Sequence, residues 1–168
     1  MPRRDKKIIP RAKFLSKRVF ELIQKSVPIP CADLVILKIK NKKIEVLLIK
    51  RKIYPEIGKW CVVGGRVLKG ETLAQTINRQ AKNELGILVP IIPPWDANHP
   101  LRVFDNIDFD PQKHPILLSY PVIIKSGKPA PSGPEFSESK WFPADKLPEI
   151  MGFRHREEVK VVLKALTQ

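Results

Sequence analysis

Gly64-Gly-Arg-Val-Leu-Lys-Gly-Glu71, followed seven residues on by Arg79-Gln-Ala-Lys-Asn-Glu84-Leu-Gly86-Ile87, is the stretch whose reading decides the fold. Gly64 and Gly65 form a point where the backbone can take positive φ or let a ligand come close. Gly70 breaks the loop ahead of Glu71, an acidic residue suited to the first turn of a helix. From Glu71 to Leu85 the apolar residues Leu73, Ala74, Ile77, Ala81 and Leu85 recur at helical spacing, and Gly86 is a natural stop. On that helix Thr76, Gln80, Asn83 and Glu84 share a face distinct from the apolar stripe. The spacing therefore predicts a helix that buries one side and holds a row of oxygen-bearing side chains over a glycine loop. Oxygen donors in such a place suit a hard cation such as Mg²⁺, which keeps several waters and bridges to substrate phosphates. A plain amphipathic helix with a solvated polar face would show the same periodicity; the glycine loop in front of it is what separates the two readings.

The stretch resembles the Nudix box, G-x5-E-x7-R-E-U-x-E-E-x-G-U, where U is aliphatic. Gly65, Glu71, Arg79, Glu84 and Gly86 match in register. Five letters of roughly 5–7% abundance each align by accident on the order of once in a million placements. Gln80 and Asn83 stand where the common pattern has glutamates. The resemblance implies the α/β class and, within it, a Nudix-type α/β/α sandwich with a mixed sheet. Length and charge read as a single domain over residues 12–168, preceded by a basic flexible arm over residues 1–11.

Composition sets the wider bounds. A chain of 168 residues with 43% hydrophobic content can bury one sizeable core. The apolar run from Pro115 to Ile124 is too short and interrupted to span a bilayer, so no membrane association is expected. No apolar segment of signal-peptide type follows the basic N-terminus. Cys31 and Cys61 are isolated from each other and from any histidine pair, which reads as reduced, buried thiols and a cytoplasmic location. The net charge is +14, concentrated in the first eighteen residues and between Lys38 and Lys59. Such a field attracts polyanions without choosing among them. No aromatic-interleaved nucleic-acid motif accompanies it, so nonspecific attraction is all it implies.

Along the chain, Phe14, Leu15, Val19, Phe20 and Ile23 give a helical stripe. Residues 31–40 and 44–50 read as strands joined by a hairpin at Asn41-Lys42-Lys43, and Trp60–Val63 as a short buried strand. Residues 101–109, 116–125 and 140–142 read as further strands. Val159, Val162, Leu163 and Leu166 give a last helix its buried side. Trp60 and Trp141 read as core packing, and Trp95, in a proline-rich loop, as a surface for stacking on a base or sugar.

The flanks of the box are similar to one Nudix branch, the GDP-mannose mannosyl hydrolases, over about residues 15 to 165. That branch also lacks the two box glutamates missing here. It shares Gly58-Lys-Trp60 and Val63-Gly-Gly-Arg66, a first strand like Cys31-Ala-Asp33-Leu-Val-Ile36, and a second ending like Leu47-Leu-Ile-Lys-Arg51. The resemblance implies that Glu84, the Gly65 carbonyl and Glu135 hold Mg²⁺, with Mn²⁺ as the alternative ion. It implies that Arg51 and Arg66 bind the diphosphate of a small nucleotide substrate and that Asp33 is the strand aspartate of the site. It suggests a homodimer, the state members tend to form. The implied reaction is attack of water on the sugar carbon of a nucleotide sugar, with loss of nucleoside diphosphate. The branch's general base, a histidine, falls on Phe136, which cannot accept a proton. Glu138, His114 and His155 are the residues that could fold in to replace it.

Three functions are left open: that glycosyl C–O cleavage, a pyrophosphohydrolase cutting P–O in ADP-ribose or a nucleoside triphosphate, and a non-catalytic domain that binds nucleotide or RNA.

Overall fold

In the computed structural model, which describes residues 15–105 and 107–167, a mixed sheet lies between two helices. The predicted basic arm falls outside those residues. The strands are β1 (Ile29–Lys40), β2 (Lys43–Arg51), β3 (Trp60–Cys61), β4 (Val63–Arg66), β5 (Arg102–Asp105), β6 (Pro115–Ile123) and β7 (Phe136–Pro143). The helices are α1 (Lys17–Ser26), α2 (Leu73–Leu85) and α3 (His155–Leu166). The main path runs β3-β2-β1-β6-β5, with β4 added to β1 and β7 to β2. β1 and β6 are parallel from Ile29↔Pro115 to Leu37↔Ile123; the other pairings between strands are antiparallel.

Period-two alternation along β1 builds both faces of the sandwich. Ala32, Leu34 and Ile36 point to one side, where Ile77, Ala81 and Leu85 of α2 complete a core. Val35 and Leu37 point to the other, against Val159 and Val162 of α3. The predicted hairpin is a two-residue turn in which Asn41 and Lys42 have φ of 49° and 62°, the left-handed pair that matches strand twist. None of the described helices is long and apolar enough to cross a membrane.

Several expected boundaries shift. Glu71 precedes α2; the N-cap is Thr72, which forms a capping box with Gln75, and Gly86 closes the helix at φ 69°. The strand expected at 101–109 is paired only over Arg102–Asp105, and Phe109 is buried from a loop. The strand expected at 140–142 runs from Phe136 to Pro143, because it pairs with β2 from Glu45↔Pro143 to Arg51↔Phe136. α1 has no fully buried residue: Leu15 and Val19 are exposed, and only Phe20, Ile23 and Gln24 are half-buried.

Candidate functional site

A cleft of about 580 Å³ opens where β1, β4, the C-terminal end of β2, α2 and the start of α3 meet. Asp33 lines it. In register it faces Gly64 on β4 and Ser119 on β6. On the same face of β1, its neighbours Cys31 and Val35 belong to two separate apolar clusters, so Asp33 marks the polar gap between them. Gly64 is required beside it: a Cβ there would overlap Asp33 Oδ1 and lie 2.8 Å from the Ala32 carbonyl oxygen.

α2 brings one carboxylate to the cleft. Glu84 is half-buried, and its Oε2 is shut off from solvent with no hydrogen-bond partner among the described residues. Gln80, its amide turned to suit both neighbours, donates to Glu84 Oε1 at 2.7 Å and accepts from Arg79 Nη1 at 3.3 Å. Burial pushes the Glu84 carboxyl up to about 8, and the nearby charges of Glu135 and Asp33 add to the effect. A buried acid with an orphaned oxygen, crowded by two more carboxylates, is the donor set that a hard divalent cation relieves. Glu84 and Glu135 supply carboxylate oxygens of that kind, and Gly65 lines the cleft with them. Gly65 approaches α2 so closely that a Cβ would overlap the end of the Gln80 amide.

The box arginine and first glutamate brace the loop in front of α2, and Arg79 also lines the cleft. Arg79 meets Glu71 at two points, Nε to Oε1 at 2.7 Å and Nη2 to Oε2 at 2.9 Å, and Nη2 also donates to the Arg66 carbonyl at 3.0 Å. Thr76 Oγ1 donates to Glu71 Oε2 at 3.0 Å.

Two further arginines line the cleft. Arg51 sits between the rings of Phe136 and Phe153, 5.9 and 5.1 Å from their centres, with Nε donating to the Pro55 carbonyl at 2.8 Å. Its Nη1 lies 3.8 Å from Glu135. Arg66 packs 3.8 Å from the centre of the Phe20 ring, which brings α1 to the edge of the cleft. Burial lowers the pKa of Arg66 and the neighbouring Arg79 lowers it further, yet it remains a cation at any physiological pH.

The remaining predicted residues divide cleanly. Arg51, Arg66, Asp33, Glu84, Gly65 and Glu135 all line the cleft. Glu138 does not: the β-bulge where β7 pairs Lys50 and Arg51 sets it on the face opposite Phe136, in an exposed pair with Lys50 at 3.1 Å. His114 is drawn to Asp105, 2.7 Å away, and does not line the cleft either. Trp95 also lies apart from it. Trp60 packs edge-on against Phe142, with ring centres 4.9 Å apart. Cys31 and Cys61 are free and buried, and burial pushes the Cys31 thiol up to about 12.

Of the candidate bases, only His155 reaches the cleft wall. Its Nδ1 accepts the Val62 amide proton at 3.1 Å, and its Nε2 lies 3.5 Å from Asp33 Oδ2. Burial lowers its pKa, but Asp33 and Cys61 beside it outweigh burial and raise it to about 10, while the Val62 amide aimed at Nδ1 opposes a proton on that atom. Behind it are Glu158 and Ser119, both fully buried, and neither was singled out in the sequence. Glu158 lies in a charged run that reads as a solvated helix face, so no local signal marks it.

The sequence model of the NUDIX domain matches residues 30–162. A curated ADP-ribose pyrophosphatase of Methanocaldococcus jannaschii is 31% identical over 120 residues, 71% of this chain; that stretch spans 66% of the relative's own length. Among solved structures, a MutT NUDIX hydrolase from Burkholderia pseudomallei superimposes with a TM-score of 0.67 at 28% identity, over 82% of this chain and 99% of that one. The NUDIX domain of Shewanella oneidensis NrtR, solved with ADP ribose, has a TM-score of 0.70 over 84% of this chain and 90% of that one; at 20% identity the likeness is one of fold. With the glycine turn, the capped box helix and the Glu71–Arg79 brace all in place, the chain belongs to the Nudix family.

Proposed function

We propose that this protein is a divalent-cation-dependent hydrolase of a nucleoside diphosphate joined to a sugar, cutting a P–O bond of the diphosphate, with ADP-ribose as the first substrate to test. The observation that carries the reading is the meeting of Arg51, Arg66 and Glu84 around the Gly64–Gly65 turn. Two guanidiniums suit a diphosphate, since each presents a planar fork of donors. The aromatic rings flanking Arg51 hold its fork in place before substrate arrives. The cleft volume of about 580 Å³ falls within the range of small-molecule sites. Likeness to an ADP-ribose pyrophosphatase supports this substrate class.

Glu84, Glu135 and the Gly65 carbonyl are the residues that would hold Mg²⁺ or Mn²⁺, which supplies charge neutralisation for the phosphates and the departing oxygen. Gln80 fixes the Glu84 carboxylate by a hydrogen bond to its Oε1. Free, buried cysteines suit a reducing compartment, and we place the protein in the cytoplasm.

A second reading keeps the substrate class and moves the cut to the sugar C–O bond. It is favoured by Gln80 and Asn83, which leave α2 with Glu84 as its sole carboxylate lining the cleft. Hydrolysis in ¹⁸O-water decides between them. Label on phosphate supports P–O cleavage, and label on the free sugar supports C–O cleavage. Nucleotide binding without turnover on ADP-ribose, nucleotide sugars and nucleoside triphosphates would defeat both and leave a binding domain.

A further inference from the structure

We propose that His155 is a positioning residue for hydrolysis: it holds the Asp33 carboxylate so that Asp33 accepts a hydrogen bond from the attacking water. The proposal rests on the hydrolase reading above.

The tautomer of His155 follows from its neighbours. Nδ1 accepts the Val62 amide proton, so the neutral ring carries its own proton on Nε2, the atom that faces Asp33 Oδ2 at 3.5 Å. Both ring nitrogens are therefore committed. His155 has no lone pair left to take a proton from water. For the same reason Asp33, His155 and Glu158 do not make a metal site, although their ligand atoms lie within 4.8 Å of one another. A protonated Nε2 cannot coordinate.

The cluster is buried and closed from behind. Asp33 is 5% exposed, His155 6%, Glu158 1% and Ser119 0%. Asp33 Oδ2, Ser119 Oγ and both Glu158 oxygens have no hydrogen-bond partner among the described residues. Placing a carboxylate here costs several kcal/mol unless a donor faces it. His155 Nε2 faces Asp33 Oδ2 at 3.5 Å. Glu158 lies beside the pair, and burial, with Asp33's charge adding to it, pushes its carboxyl up to about 8.

The backbone is bent to put His155 there. Phe153 and Arg154, neither of them glycine, have φ of 49° and 56° immediately before it. Left-handed non-glycine residues cost on the order of 1 kcal/mol or more each and persist where the surroundings demand them. The turn sets Phe153 against Arg51 and His155 against Asp33.

Elimination points to Asp33 as the group that meets water. The carboxylates lining the cleft are Asp33, Glu84, Asp110 and Glu135. Glu84 and Glu135 are the carboxylates that would hold the cation. Asp110 accepts the Gln112 amide at 2.8 Å and pairs with Lys113 at 3.4 Å. Phe136 has no accepting atom. Asp33 would repel the diphosphate, which Arg51 and Arg66 hold, but a carboxylate is a good acceptor for a water hydrogen.

Two measurements on the full chain test this. Nitrogen-15 NMR of histidine-labelled protein reads the tautomer directly, with His155→Gln identifying the signal among the three histidines. The expected result is a neutral ring protonated at Nε2, whose proton signal shifts in Asp33→Asn. An imidazolium at neutral pH, or a ring protonated at Nδ1, overturns the pairing whether or not the protein turns over substrate. Steady-state kinetics on ADP-ribose with Mg²⁺ is the second. Asp33→Asn should lower kcat by about 100-fold and His155→Ala by about 10-fold, with KM within about threefold. His155→Gln, which restores an N–H toward Asp33, should recover part of that loss. Unchanged kcat, a loss confined to KM, or a loss that tracks the fraction unfolded in thermal melts overturns the proposal. An inactive wild type with the expected tautomer would instead show that the hydrolase reading has failed, and the catalytic role with it, while the His155–Asp33 pairing stands.

Discussion

Arg79 grips Glu71 with two nitrogens, at 2.7 and 2.9 Å, and reaches past it to the Arg66 carbonyl at 3.0 Å. One guanidinium thus ties α2 to the loop that carries both the glycine turn and a cleft-lining arginine. The pair is mostly buried, with side-chain exposures of 20% and 11%. Removing one partner leaves the other charge poorly solvated. Arg79→Ala should lower stability by about 2–3 kcal/mol, and Arg79→Lys should recover only part of it because lysine cannot fork. Urea melts measure this. A neutral outcome would mean the loop holds its shape without the brace.

The Glu84 carboxyl makes the cation-free protein sensitive to pH. Its value is raised from 4.5 to about 8 by burial, with Glu135 and Asp33 contributing. Between those values the folded chain binds more protons than the unfolded one, so the contribution is full below 4.5 and is lost as pH rises through 8. Differential scanning fluorimetry in EDTA should show melting temperatures falling across that window, less steeply in Glu84→Gln. Added Mg²⁺ should restore wild type at pH about 8 and leave the variant unmoved, because the ion binds the ionised carboxylate. Equal responses would remove Glu84 from the cation site.

The two glycines of the turn should fail differently. A Cβ on Gly64 meets backbone, with the Ala32 carbonyl oxygen at 2.8 Å and Asp33 Cα at 2.9 Å. Gly64→Ala should therefore cost about 1–3 kcal/mol in denaturant melts. At Gly65 the nearest obstacle is the flexible Gln80 amide. Gly65→Ala should melt almost normally yet lose about tenfold in turnover, as Gln80 is pushed away from Glu84. If both variants melt alike, the contrast drawn from their neighbours is wrong.

Glu135 and Glu138 are three residues apart and should behave oppositely. Glu138 is exposed and pairs with Lys50, a surface contact worth about 0–1 kcal/mol. Glu138→Gln should leave kcat/KM within about twofold of wild type. Glu135→Gln should raise the Mg²⁺ concentration needed for half-maximal activity by about tenfold. Magnesium titrations of both variants decide it, and a large effect at Glu138 would reinstate it as a working group.

What local chemistry governs was legible in the sequence. The helix 73–85 follows from the spacing of Ile77, Ala81 and Leu85 and from Gly86; the hairpin follows from Asn41 and Lys42, polar residues between two β-branched runs. These features are decided by neighbours within a few residues, where sterics and capping act. The row from Gln80 to Glu84 was legible for the same reason. Placement across the chain was not. That Asp33 should face Ser119 depends on the parallel register of β1 and β6, and a parallel pair is joined through a long connection that no short pattern records. Glu158, inside the run His155-Arg-Glu-Glu158, looks like any solvated helix face until α3 packs and shuts it off from water. A β-bulge in the pairing of β7 with β2 removed Glu138 from the cleft, and a left-handed turn at Phe153 and Arg154 brought His155 in. The sequence by itself determined the box helix, its glycine turn and the family they mark. Only the tertiary structure decided which polar groups share the buried gap in β1, because burial and charge pairing there depend on surfaces brought together from distant parts of the chain.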